Sequence, residues 1–119
     1  MAGKEIRVRR VYDEPTPDDG ARVLVDRIWP RGLRTDAAHL DEWVKDVAPS
    51  TTLRRWFGHD PGKFAEFESR YRQELDEPAR RAALDTLREL AERGPVTLLT
   101  ATRDVPHSHV AVLAELLRR

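Results

Sequence analysis

The second predicted strand, residues 22–28, most constrains the fold of this chain. Its near-continuous apolar character is typical of a strand that is covered on both faces. A third strand of similar character is predicted over residues 96–101. Apolar and charged residues alternate from Ile6 to Val11, and this two-residue period predicts a first strand with one wetter face at an edge of the sheet.

Helical segments are predicted between and after the strands, where apolar residues recur at spacings of three and four. The residues that would cap or end these segments are, in chain order, Asp36, Pro49, Ser50 or Thr51, Gly58, Asp60-Pro61, Pro78, Gly94-Pro95 and Pro106. The first helix, from Asp36 to Pro49, would carry one apolar stripe that consists of Leu40, Trp43, Val44 and Val47.

This order of segments predicts the fold class. Strands that alternate with helical segments indicate a small three-layer α/β domain, with a short, mainly parallel sheet flanked by helices. At 119 residues the chain can bury one core but not two, so residues 1–119 are predicted to form a single domain. In such folds the carboxyl ends of the strands share one rim, and ligands usually bind there.

Charge and composition exclude several functional classes. Basic and acidic residues number 21 each, so no global field attracts nucleic acid, and an anion would have to be held by a local cluster. The absence of cysteine excludes disulfides, thiolate nucleophiles and cysteine-ligated metals. Met1 to Glu5 lead into a strand and not into an apolar signal region, and no apolar stretch approaches the ~20 residues of a membrane span. We therefore expect a cytoplasmic protein with no membrane contact.

The motif Asp26-Arg27-Ile28-Trp29-Pro30-Arg31-Gly32 puts two guanidinium groups, an indole and a carboxylate on the turn that leaves the second strand. Residues 102–107 leave the third strand at the same predicted rim. We therefore predict one cleft at this rim for an anionic small molecule, and residues 45–46 and 54–60 are candidates to border it.

The residues predicted to bind the ligand are Arg27, Trp29, Arg31, Trp56, His59 and Arg103. The three arginines would hold the anion, because guanidinium groups form paired hydrogen bonds with phosphate and carboxylate. Trp29 would stack on a planar part of the ligand, and Trp56 with His59 would line the edge of the pocket.

Asp104 and His107 are the catalytic candidates, since a carboxylate or an imidazole at the cleft could move a proton, as in a hydrolase or a lyase. Structural interpretations stay open: Asp104 also fits a helix N-cap, and the Trp-Pro-Arg-Gly segment also fits a rigid turn with solvated arginines. His107 and His109 are two residues apart, which points them away from each other on a helix, so no metal site is predicted. No Walker-type loop or G-x-G-x-x-G motif follows either buried strand, so no cofactor is predicted.

Several ordered motifs resemble one protein family. They are Arg27-Ile28-Trp29-Pro30-Arg31-Gly32, Trp43-Val44-Lys45-Asp46-Val47-Ala48-Pro49-Ser50, Leu53-Arg54-Arg55-Trp56-Phe57-Gly58-His59-Asp60-Pro61, Phe67 with Arg70-Tyr71 and Glu74-Leu75, and Val96-Thr97-Leu98-Leu99 followed by Arg103-Asp104. Together they resemble the domain of unknown function 488 family, in its YeaO-like branch. The resemblance covers most of the chain, from about Ile6 to Leu117, and implies a compact Rossmann-like α/β fold. It brings no established activity with it.

Two functions are compatible with these residues. The first is a small enzyme, or a degenerate relative of one, that binds a phosphorylated or carboxylated small molecule, nucleotide-derived ones included, at the strand-end cleft. The alternative is a non-enzymatic module that binds nucleic acid or a partner protein through the same arginines and tryptophans. The balanced net charge does not favour nucleic acid.

Overall fold

A computed structural model describes residues 5–119 as an α/β fold with a four-stranded parallel sheet. The strands are β1 (Ile6–Arg10), β2 (Ala21–Leu24), β3 (Glu42–Trp43) and β4 (Val96–Thr100), in the spatial order β1-β4-β2-β3. The helices are α1 (Thr51–Phe57), α2 (Phe64–Glu74), α3 (Pro78–Arg93) and α4 (His109–Arg118). The predicted α/β class and parallel sheet are confirmed. The expectation that the chain starts without a signal region falls largely on residues 1–4, which lie outside the described residues.

β4 lies inside the sheet, and all five of its residues are buried. It pairs with β1 on one side and with β2 on the other, so that Val96 lies opposite both Ile6 and Ala21. β1 lies at an edge of the sheet, as its alternating sequence predicts. The position of each of these strands in the sheet therefore agrees with its apolar content, because a strand with two neighbours and two covered faces has few polar positions.

One face of the sheet carries the helices. Val23, Val25, Val96 and Leu98 on this face pack against apolar residues from α1, α2, α3 and α4 in a single core. The opposite face is covered by connecting segments and not by helices: Trp29, Leu33 and Leu40 pack on the smaller cluster of Val11, Leu24 and Leu99. The third layer of the domain thus consists of loop residues.

The helix predicted between Asp36 and Pro49 does not form, and this prediction is wrong. The segment instead contains two 3-10 turns and strand β3, which pairs in parallel with β2. The Asp41 backbone N–H donates to the Arg22 carbonyl at 2.9 Å, and the Asp41 carboxylate accepts from the Arg22 N–H at 2.8 Å. The local apolar spacing favours a helix only weakly, because tertiary contacts readily override helix propensity. The hydrogen bonds to β2 therefore decide the conformation of this segment.

The cap of α1 agrees with the sequence prediction. The Ser50 hydroxyl accepts from the Leu53 N–H at 3.1 Å, and Gly58 ends α1 in the left-handed conformation. The helix predicted to open at Asp60-Pro61 starts later: the Asp60 carboxylate accepts from the Gly62 N–H at 2.9 Å in a 3-10 turn over Pro61–Lys63, and α2 begins at Phe64. α4 begins at His109, later than predicted, because residues 105–107 form a 3-10 turn. Within residues 5–119, no helix combines the length and the apolar character that crossing a membrane requires.

Candidate functional site

A cleft of about 630 Å³ opens at the carboxyl ends of β2 and β4. Its walls come from the loop after β2, from α1 and the residues that follow it, and from the segment that leads into α4. We call it the main cleft, and it is lined by Asp26, Arg27, Ile28, Trp29, Pro30, Arg31, Ala48, Pro49, Arg54, Phe57, His59, Phe67, Ala101, Thr102, His107, Ser108 and His109. Its size lies within the range of ligand pockets.

Asp26 lies in the main cleft, directly after β2, and its carboxylate is fully engaged by the protein. It accepts hydrogen bonds from the Thr100 hydroxyl and the Ala101 N–H, both at 2.8 Å, and lies 3.3 Å from His109 Nε2. Burial raises the pKa of Asp26, but the hydrogen bonds and the charge of His109 outweigh it and hold that pKa below the ordinary value of 3.8. Asp26 is therefore an ionised anchor for the cleft.

Three arginines line the main cleft: Arg27, Arg31 and Arg54. Within residues 5–119 none of the three forms an ion pair, although arginines elsewhere in the chain pair with acids. Arg54 donates one bond, from its terminal nitrogen to the Thr51 hydroxyl at 3.1 Å. Its Nε is buried and has no hydrogen-bond partner in the described part of the chain. Among the lining residues Asp26 is the one acid, so the cleft carries excess positive charge.

Two tryptophans fix the loop that carries Arg27 and Arg31. The Trp29 indole N–H donates to the Leu33 carbonyl at 2.8 Å, and its ring meets Trp43 edge-on at 5.3 Å. The Trp43 indole N–H donates to the Asp26 carbonyl at 2.7 Å. The backbone on both sides of Arg27 is thereby tied to neighbouring segments, which limits its movement.

Another part of the cleft lining is aromatic. Phe57 and Phe67 are buried and stack on each other with 4.3 Å between ring centroids. His59, which follows the left-handed Gly58, is itself left-handed with φ 57°. This conformation is unfavourable for a residue with a Cβ, by about 1 kcal/mol or more, and such strain is concentrated at ligand sites.

A second lobe of about 470 Å³ adjoins the main cleft and is lined by Asp26, His59, Ala101, Thr102, Arg103 and Asp104. The Asp104 carboxylate makes no N-cap bond; its two oxygens lie 3.1 and 3.0 Å from His107 Nδ1. Asp104 thus orients the His107 ring at the rim of the main cleft, instead of capping a helix by its side chain.

The structure brings most of the sequence-predicted residues to this rim. Arg27, Trp29, Arg31, His59 and His107 line the main cleft, and Arg103 and Asp104 line the second lobe. Trp56 lies elsewhere: it lines a separate depression, where the guanidinium of Arg70 lies 4.3 Å from its ring centroid. The structure does not bring Trp56 and His59 together in one pocket. Of the segments expected to border the cleft, residues 54–60 contribute to the main cleft and residues 45–46 do not.

Three features of the site were not predicted from the sequence: His109, Trp43 and the unpartnered Nε of Arg54. A signal exists for His109, because it stands four residues before Leu113 on the buried face of α4. Trp43 is assigned by the sequence to a helix that does not form. Within residues 5–119 no group of three His, Cys, Asp or Glu side chains is arranged to hold a metal ion.

Comparison with known proteins gives one family and several relatives. The family described as the inactive DUF488-N3 subclade matches residues 5–119. The chain is similar to Uncharacterized protein Rv3073c of Mycobacterium tuberculosis strain H37Rv, with 56% identity over 94% of this chain and 92% of the relative. It is also similar to Uncharacterized protein YeaO of Escherichia coli K12, with 39% identity over 95% of this chain and 96% of the relative. No solved structure matches the chain.

Proposed function

Because the chain belongs to the domain of unknown function 488 family and matches its inactive DUF488-N3 subclade, we propose that it is a binding domain. It holds an anionic small molecule in the main cleft and does not convert it. The family is the one that the sequence motifs predict. The word inactive in the description of the subclade supports binding without turnover.

One observation carries this proposal: Arg27, Arg31 and Arg54 line the same cleft, and within residues 5–119 none of them has an acidic partner. A buried donor without an acceptor costs about 1–3 kcal/mol. A phosphate or carboxylate beside the Arg54 Nε would remove that cost, because guanidinium groups bind these anions through paired hydrogen bonds. Asp26 would not compete with the ligand for the arginines, because its carboxylate already accepts hydrogen bonds from the Thr100 hydroxyl and the Ala101 N–H.

The apolar part of the cleft supports a ligand with a planar or apolar body. Trp29, Phe57 and Phe67 line the same space as the three arginines. Aromatic walls with a few well-placed polar groups are typical of small-molecule sites. Phosphorylated or carboxylated compounds with a ring, nucleotide-derived ones included, fit this combination.

The test is calorimetric titration of the protein with AMP, phenyl phosphate, benzoate and inorganic phosphate. We expect the ring-bearing anions to bind, and Arg54→Ala to weaken their binding by about tenfold or more. Arg55→Ala is the matched control, because Arg55 is the exposed neighbour on α1 and does not line the cleft. No binding by any of these anions, or equal losses in both variants, would overturn the proposal.

A second candidate function is a hydrolase or lyase, and the pairing of Asp104 with His107 favours it. The carboxylate holds Nδ1 of a histidine at the cleft, which leaves Nε2 available to move a proton. Release of phosphate from a bound phosphate ester, abolished in His107→Gln and retained in His39→Gln, would support this function over binding alone. Binding without product formation would exclude it for the esters tested.

A further inference from the structure

We infer that the ligand carries two separated anionic groups, one held by the arginines of the main cleft and the other by Arg103 in the second lobe. The inference rests on the proposed function and extends it, because it specifies the ligand class. It starts from the shape of the site, which has two connected spaces and arginine in both.

The two spaces adjoin each other, because Asp26, His59, Ala101 and Thr102 line both of them, and we call the two together the groove. Their volumes are about 630 and 470 Å³. Each falls within the roughly 300–1,000 Å³ of ordinary ligand pockets. Each space is therefore large enough to hold an anionic group of its own.

The second lobe offers a guanidinium group to an incoming anion. Arg103 is exposed there and, within residues 5–119, forms neither an ion pair nor a side-chain hydrogen bond, although Asp104 is its neighbour in sequence. Asp104 is held by His107, and Asp26 by Thr100 and the backbone. Both carboxylates of the lobe are thus engaged within the protein, and Arg103 is left to an external partner.

His59 stands at the junction of the two spaces and is left-handed. A side chain held there in an unfavourable backbone conformation is suited to contact the middle of an extended ligand. The chemistry that fits is two phosphates or carboxylates joined by a planar or apolar body. A short phosphorylated dinucleotide is a probe with these properties.

The experiment compares three probes by calorimetric titration at one salt concentration: AMP, ApA and pApA. AMP and ApA each carry one phosphate, and ApA matches the body of pApA, so only pApA has two anionic groups. We expect pApA to bind about tenfold tighter than either of the others. Arg103→Ala should remove this gain, so that pApA binds to this variant no tighter than AMP does. Arg93→Ala is the control for net charge, because Arg93 is exposed at the end of α3 and lines neither space.

The outcomes separate this inference from the proposed function. Binding of AMP with no gain for pApA, or a gain that survives Arg103→Ala, overturns the two-anion ligand and leaves the proposed function standing. Failure of all three probes to bind overturns both for this ligand class. A longer oligoadenylate that binds tighter than pApA would assign the groove to a nucleic-acid strand and overturn the assignment to a small molecule.

Discussion

The Asp26 carboxylate lies 3.3 Å from His109 Nε2, and this pair joins the loop after β2 to the first residue of α4. The same nitrogen lies 3.1 Å from the Val25 carbonyl oxygen. Both side chains are mostly buried, with 16% of Asp26 and 11% of His109 exposed. The pair therefore ties together two of the segments that line the main cleft.

Asp26→Asn is expected to lower the free energy of unfolding at pH 7 by about 1–3 kcal/mol, because an amide cannot accept the bonds from Thr100, Ala101 and His109 equally well. The pKa of Asp26 is lower in the folded state than its ordinary 3.8, so its ionisation stabilises the fold above that pH. This contribution is lost as the pH falls through the folded-state pKa.

Urea denaturation of Asp26→Asn and of the parent protein from pH 7 down to about pH 3 measures both effects. The difference in stability between the two should shrink at the acid end. Asp46→Asn serves as the control, since Asp46 is exposed and should change little. A difference that stays constant down to the lowest pH would contradict the role of the Asp26 carboxylate.

Arg54→Met is expected to leave the ligand-free protein as stable as the parent or more stable, because it removes a buried nitrogen that lacks a partner. Arg22→Met should have the opposite effect. The Arg22 guanidinium is buried, pairs with Asp19 at 2.5 Å and donates to the His39 carbonyl at 2.9 Å. Its loss leaves Asp19 buried with fewer partners and should cost about 3–5 kcal/mol. Thermal denaturation compares the two variants, and equal destabilisation would contradict the assignment of Arg54 to ligand binding.

Gly20→Ala is expected to destabilise the protein by about 4 kcal/mol or more, an exceptional loss for one methyl group. A Cβ at this position would lie 2.1 Å from the Pro95 carbonyl oxygen, and the backbone has φ 62°. Gly32→Ala is the matched control: its φ is 77°, but nothing lies within 4 Å of the added Cβ. It should show only the backbone cost, about 1 kcal/mol. Melting temperatures of the two variants test this difference. Similar values would show that the backbone at Pro95 shifts to make room for the added methyl group.

His59→Gly is expected to stabilise the ligand-free protein by up to about 1 kcal/mol, because glycine adopts the left-handed conformation without strain. The same change should weaken binding of the anion, since His59 lines both parts of the groove. His39→Gly is the matched control, with φ 50° and a position outside the groove. His39→Gly should also raise the free energy of unfolding but leave the affinity for AMP unchanged. Calorimetric titration with AMP measures the affinity. Equal affinities for AMP in the two variants would show that His59 does not contribute to binding.

Features that depend on local interactions are predictable from the sequence. Ser50 and Gly58 bound α1 as predicted, because a cap forms its hydrogen bonds within a few residues of itself. Pro78 and Gly94 likewise bound α3. The convergence of the loops after β2 and β4 is also predictable, since parallel strands direct their carboxyl ends to one edge of a sheet.

Features that depend on distant parts of the chain are not predictable in this way. The stripe of Leu40, Trp43, Val44 and Val47 predicts a helix, but the backbone there pairs with β2. Arg54 is one of many arginines in the sequence, and only the surroundings of its Nε single it out. Trp56 and His59 also separate for a non-local reason, because Trp56 lies on α1 whereas His59 follows the left-handed Gly58 that ends the helix, and each lines a different space.

The sequence by itself thus determined the α/β class, two buried strands, the ends of α1 and α3 and the rim at which an anion site was expected, because these follow from local propensity and apolar periodicity. The tertiary structure alone decided that β3 replaces a helix, that Asp26 pairs with His109, and that the main cleft and the second lobe share four lining residues. Each of these depends on contacts between segments far apart in sequence, and a local pattern carries no information about them.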